Sequence, residues 1–143
     1  MKLSEIIEHV KEAQQKYFSL HVPKEELKKE IEAYLQKNTD LLTKAYMMDS
    51  HEELSIGTMM SQLEIEEMKP SESFKNEFGK VTNVNVPYGV LAFISDSNPY
   101  HVLRMIVLAL ESKNGMVIHI THNVGTNYLL VEGIKDILHV YGI

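Results

Sequence analysis

The apolar positions of this chain keep a helical rhythm through the first half and lose it near residue 80. Leu3, Ile6, Ile7, Val10, Ala13 and Tyr17 recur at the three-to-four spacing of an amphipathic helix. Pro23 suits the first turn of a second helix, with Leu27, Ile31, Tyr34 and Leu35 on its inner face. Asn38 and Thr39 mark a stop and a restart, after which Leu41, Leu42, Ala45 and Tyr46 continue the pattern. Ser50 and Glu53 have the spacing of a capping box and predict a helix over about 51–68, with Leu54, Met59, Met60 and Leu63 inward. Gly57 weakens that helix by ~1 kcal/mol relative to alanine. Met68-Lys69-Pro70-Ser71 ends it, and residues 69–79 read as a loop.

The period then changes. Val81, Asn83 and Asn85 alternate with Thr82, Val84 and Val86, a weak strand pattern that Pro87 terminates. Gly89-Val90-Leu91-Ala92-Phe93-Ile94 is a short apolar run suited to a buried strand. Asn98 has the chemistry of an N-cap and Pro99 that of a first helical residue, opening a helix to about Ser112. Met116-Val117-Ile118-His119-Ile120 forms a second apolar strand, and Gly125-Thr126 opens a last helix carrying Leu129, Leu130, Ile134, Ile137 and Leu138. The second half is β-α-β-α, the pattern of a parallel sheet with right-handed crossovers. The fold class is therefore α/β: a helical segment over 1–79, then a partial Rossmann-like unit over 80–143, packed as one domain.

Charge follows the same division. Residues 1–80 hold 16 of the 20 acids and 11 of the 14 bases, as solvated helices require. The 143 residues suffice for one domain that buries about two-thirds of its unfolded surface. There is no cysteine, which excludes a disulfide framework, a thiolate metal site and a catalytic thiol in these residues. A net charge of −6 disfavours a nucleic-acid coat or an anionic-membrane binder. No apolar run approaches the roughly 18 residues of a membrane span, and the N-terminus carries no signal-peptide h-region. The expectation is a cytoplasmic chain.

Pro87-Tyr88-Gly89-Val90-Leu91-Ala92-Phe93-Ile94, followed by Ser97-Asn98-Pro99, is similar to the P-x-G-V segment that opens the dinucleotide-binding domain of the aldehyde dehydrogenase superfamily. Ala109-Leu110-Glu111-Ser112-Lys113-Asn114-Gly115-Met116-Val117-Ile118 resembles that family's A-L-x-x-x-N-A-x-V-hydrophobic pattern. The Ser-Asn-Pro turn and the basic residue before Asn114 lean towards the CoA-acylating members, and less towards the glutamyl phosphate reductase branch. The match covers roughly residues 80–123.

The resemblance implies roles. Asn98 would match the family's asparagine whose amide helps hold an oxyanion, a neutral donor of the kind worth a few kcal/mol in such sites. It competes with, and is compatible with, a plain capping role. His119 would stand where many members place a lysine on the adenine ribose of the cofactor, with Ile120, Thr121, His122 and Asn123 along the same edge. The implied cofactor is NAD or NADP, or the related nucleotide of CoA. The family's nucleophile is a cysteine, and without one an oxyanion donor cannot run covalent acyl chemistry. The expectation is thus the N-terminal portion of the fold, inactive alone, retaining weak nucleotide binding. The alternatives are an interaction module and one chain of a split oxidoreductase.

Other constellations are weaker. His119, His122 and His139 lack an acidic or thiolate partner at zinc spacing. Neither standard phosphate loop occurs, although the helix starts near Asn98-Pro99 and Gly125-Thr126 have amides of the kind that hold anions. Ser95, Asp96 and Ser97 lack a nucleophile elbow. Glu64, Glu66 and Glu67 read as a solvated face, and the pairs Met47-Met48 and Met59-Met60 as core or interface filler. The scarcity of charge after residue 80 and the exposed edges of a short sheet predict a homo-oligomer or a partner chain.

Overall fold

The structure is a computed structural model that describes residues 2–18, 23–65, 71–84, 87–95 and 98–143. The expected helix end at Met68-Pro70, the acids Glu66 and Glu67, the strand end at Asn85-Val86, and Asp96 and Ser97 lie outside those residues. The described residues form, in order, α1 (Leu3–Phe18), α2 (Lys24–Lys37), α3 (Thr39–Ser50), α4 (Ile56–Ser61), β1 (Ser71–Asn76), β2 (Gly79–Val84), β3 (Val90–Ser95), α5 (Pro99–Glu111), β4 (Gly115–Ile120) and α6 (Val124–Val140).

The parallel pair expected in the second half is present. β3 and β4 run parallel in the register Val90↔Gly115 through Ser95↔Ile120, with α5 as the crossover. Phe93, Met116 and Ile118 pack against one buried cluster. That cluster takes Leu27, Ile31 and Leu35 from α2, Leu42 and Tyr46 from α3, Val102, Leu103 and Val107 from α5, and Leu130 and Ile134 from α6. Both halves of the chain therefore contribute to one core. The inner faces expected for α2 and α6 are the buried faces.

The first half departs from expectation in three places. The long helix over 51–68 is only the six residues of α4. Ser50 does not open it: its hydroxyl donates back to Tyr46 O at 2.7 Å, and His51 takes a left-handed φ of 59° that closes α3. Ser55 is the cap instead, accepting from Thr58 N at 3.2 Å. Leu54, Met59 and Leu63 are nevertheless buried, as their spacing demanded.

Residues 69–79 are not a loop throughout. β1 and β2 form an antiparallel hairpin, Ser71↔Val84 to Asn76↔Gly79. Asn76 Oδ1 accepts from Phe78 N at 2.9 Å and Gly79 has φ 121°, so the turn is set by an Asx side chain and a glycine. Finally, the apolar stripe of α1 is not a core face. Leu3, Ile7 and Ala13 are exposed, and the helix meets the sheet through Val10 and the buried Gln14. A Cβ at Gly115 would lie 2.7 Å from Val10 Cγ1, so glycine is what lets α1 cross the start of β4.

Candidate functional site

The two sequence segments that carry the family resemblance meet in space at the start of the parallel pair. Gly115 N donates to Gly89 O at 2.7 Å. Asn114 is buried, accepts from Gly89 N through Oδ1 at 2.9 Å and donates through Nδ2 to Ser112 Oγ at 2.8 Å. Gly89 takes φ 114°, a region that other residues rarely adopt. The glycine of one motif and the asparagine of the other therefore set the strand register. Their job is structural.

The opposite, C-terminal end of the strands holds the residues expected to act. In open α/β sheets the crevice beyond the carboxyl ends of the strands is where ligands bind. Asn98 follows β3 there and caps α5, its Oδ1 accepting from His101 N at 3.0 Å. The cap uses the carbonyl oxygen, whereas an oxyanion would be held by the Nδ2 amide, so the two roles call on different atoms. His101 stands edge-on to Phe93, with ring centroids 5.6 Å apart.

His119 pairs in register with Ile94 and is exposed. It alternates with Met116 and Ile118, so it lies on the sheet face away from their cluster, beside Ala92 and Ile94. Thr121 and His122 are also exposed, and Thr121 Oγ1 lies 3.1 Å from His122 Nδ1. Asn127 Nδ2 donates to His122 O at 3.0 Å and ties this turn to α6. Topology thus brings Asn98 and the group His119, Thr121 and His122 to one end of one strand pair.

One residue at this end was missed by sequence reasoning. Asp49, at the end of α3, places its carboxylate on the first turn of α6. Its Oδ2 accepts from Thr126 N at 2.8 Å and from Thr126 Oγ1 at 2.7 Å. Both carboxylate oxygens lie 3.4 Å from the position a Cβ on Gly125 would take. The amide end of α6 is an anion site by the general physics of helix termini, and here the chain's own carboxylate fills it. The contact spans 77 positions, so no local signal announces it.

Tyr46 and Tyr100 join α3 to the first turn of α5. Their rings meet edge to face at 6.4 Å, and Tyr100 OH accepts from Ser55 N at 2.9 Å. Burial, opposed by a Ser50 hydrogen bond and reinforced by Glu52, raises the Tyr46 phenol above its ordinary value.

Among the described residues, no helix is long and apolar enough to cross a membrane.

No family model matches this sequence, and no curated protein matches it. The fold, by contrast, is that of part of an aldehyde dehydrogenase. The chain is similar to a propionaldehyde dehydrogenase from the fucose utilisation bacterial microcompartment of Clostridium phytofermentans, with a TM-score of 0.73 at 15% identity. The match covers 98% of this chain and 34% of that one. Two single-residue variants of the same enzyme match with TM-scores of 0.66 at 14% identity. This chain therefore spans about a third of the length of the enzymes it resembles.

Proposed function

We propose that this chain is a nucleotide-binding portion of an aldehyde dehydrogenase-type fold, holding the nucleoside end of NAD, NADP or CoA weakly at the C-terminal edge of β3 and β4. The observation that carries the reading is the parallel β3–β4 register, which gathers the turns after both strands at one end. The fold likeness supports it.

The residues present suit only part of such a cofactor. His119, Thr121 and His122 offer exposed ring nitrogens and a hydroxyl, the donors and acceptors that ribose hydroxyls take. The diphosphate does not fit the start of α6, where Asp49 holds Thr126 N and sets a like charge against it. At the start of α5, Asn98 Oδ1 already takes the His101 amide. Binding therefore rests on the nucleoside side alone, and a bound nicotinamide cofactor would supply hydride transfer only with a thiol nucleophile that these 143 residues lack. In this reading Asn98 is a vestigial oxyanion donor that now serves as a cap.

Calorimetric titration with NADH, NADPH and CoA tests the proposal. A dissociation constant of tens of micromolar or weaker, lost in His119→Ala, is the expected result. Absence of heat at millimolar ligand overturns it.

A second reading has its own support. Ile94 is 67% exposed on a strand face and Phe78 is 89% exposed at the hairpin turn. Such surface favours association with a second copy or a partner chain. A monomer mass by light scattering, unchanged by concentration, would set the homo-oligomer aside.

A further inference from the structure

A cleft of about 330 Å³ opens along β4 from Gly115 to Ile118, on the strand face opposite His119, where α1, α5 and α6 converge. Its lining is mostly aliphatic and includes Val10, Leu110, Met116 and Leu138. The volume lies within the range of small-molecule sites, which begins near 300 Å³.

Three polar residues line it: Gln14, Asn114 and Lys135. The two amides are engaged by the fold. Gln14 Nε2 donates to Lys113 O at 2.9 Å, and Asn114 links Gly89 N to Ser112 Oγ. Neither is arranged around an internal polar ligand group. Lys135 differs. Its ammonium is 3.9 Å from Glu132, one turn away on the same helix, and both side chains are substantially exposed. An ion pair so long and so wet is worth little, so the ammonium can exchange Glu132 for another carboxylate.

An aliphatic slot with one cation at its rim selects an amphipathic anion. We infer that the cleft binds a medium-chain carboxylate, its hydrocarbon tail among Val10, Leu110, Met116 and Leu138 and its carboxylate on Lys135. A cavity of about 150 Å³ accommodates a six-carbon ring, so the space here takes a chain of roughly eight to ten carbons. The exposed stripe of α1 fits this picture. Ala13, expected in the core, stands at the cleft with its side chain exposed. The site is independent of the nucleotide proposal.

A chain-length series tests it. Hexanoate, octanoate and octanol are titrated into the protein while the Met116 methyl is followed by NMR. Each added methylene is expected to tighten binding about fourfold, the factor that follows from burying a CH₂. Lys135→Gln should weaken octanoate several-fold and leave octanol unchanged. Ala13→Phe, at an exposed position that tolerates bulk, should abolish octanoate binding without altering the circular dichroism. Affinity independent of chain length, or a Met116 methyl that does not shift, overturns the proposal.

Discussion

Gly133 and Tyr34 show how much one side chain controls here. A Cβ at Gly133 would clash with the Tyr34 ring, in the middle of α6 where glycine is otherwise unfavourable. The absent side chain makes room for the ring, and Tyr34 OH then donates to Leu129 O at 2.7 Å. Gly133→Ala should therefore destabilise by about 1–3 kcal/mol in urea unfolding, despite the better helix propensity of alanine. Adding Tyr34→Ala should make that substitution nearly silent, which separates the clash from a backbone effect. Burial, and secondarily Asp136, raises the Tyr34 phenol above its ordinary value of 10.0. The fold thus favours the neutral phenol. That stability is fully present below pH 10 and is lost as pH rises through the higher folded value. Denaturant midpoints at pH 9 and pH 11 should differ more in the wild type than in Tyr34→Phe. Neither residue was fully legible beforehand. The spacing put Tyr34 on the inner face of α2, but nothing near Gly133 names its partner.

At the scale of elements, legibility followed the strength of the periodic pattern. α2, α5, α6, β3 and β4 have dense apolar spacing and were foreseen, α5 with its cap Asn98 and Pro99; Pro23, however, precedes α2 rather than lying in its first turn, and α6 opens at Val124 after Asn123 rather than at Gly125-Thr126. The hairpin escaped because β1 reads Ser-Glu-Ser-Phe-Lys-Asn, with one large apolar side chain and no core to face. Lys75 even pairs with Lys80, a like-charge pair that weakens a hairpin. A small signal was available: Asn76 and Gly79 bracket a two-residue turn. The capping box at Ser50 misled because a serine near a helix end serves equally well by bonding backward to the preceding turn. The α3–α6 junction was invisible since Asp49 and Thr126 are remote in sequence. Asp49→Ala should cost about 1 kcal/mol, the worth of a cap with a favourable dipole. Asp49→Asn keeps an acceptor for Thr126 N yet removes the charge. It should therefore tighten NADH binding several-fold with a near-native melting temperature. Unchanged or weaker NADH affinity in that variant would show that the carboxylate does not exclude the diphosphate.

For the molecule as a whole, the sequence motifs and the fold converge by a physical route. The two short segments similar to aldehyde dehydrogenases are the ones that clamp Gly89, Asn114 and Gly115 together. A register clamp decides which strand residues face the core, because shifting it would turn every strand residue to the other face. The candidate site was less legible than the fold: His119, Thr121 and His122 lie exposed, with no packing pattern to announce them, and Asp49 reaches the neighbouring start of α6 from another helix.

The nucleotide reading is tested most directly by mapping NADH onto the backbone amides with ¹⁵N-labelled protein. If it is correct, shifts concentrate at Asn98 to His101 and at His119 to Thr126, grow with NADH to saturation, and leave Gly89 and Asn114 unmoved. Shifts that are absent at millimolar NADH, or that fall elsewhere, would contradict a nucleotide site at the C-terminal edge of β3 and β4.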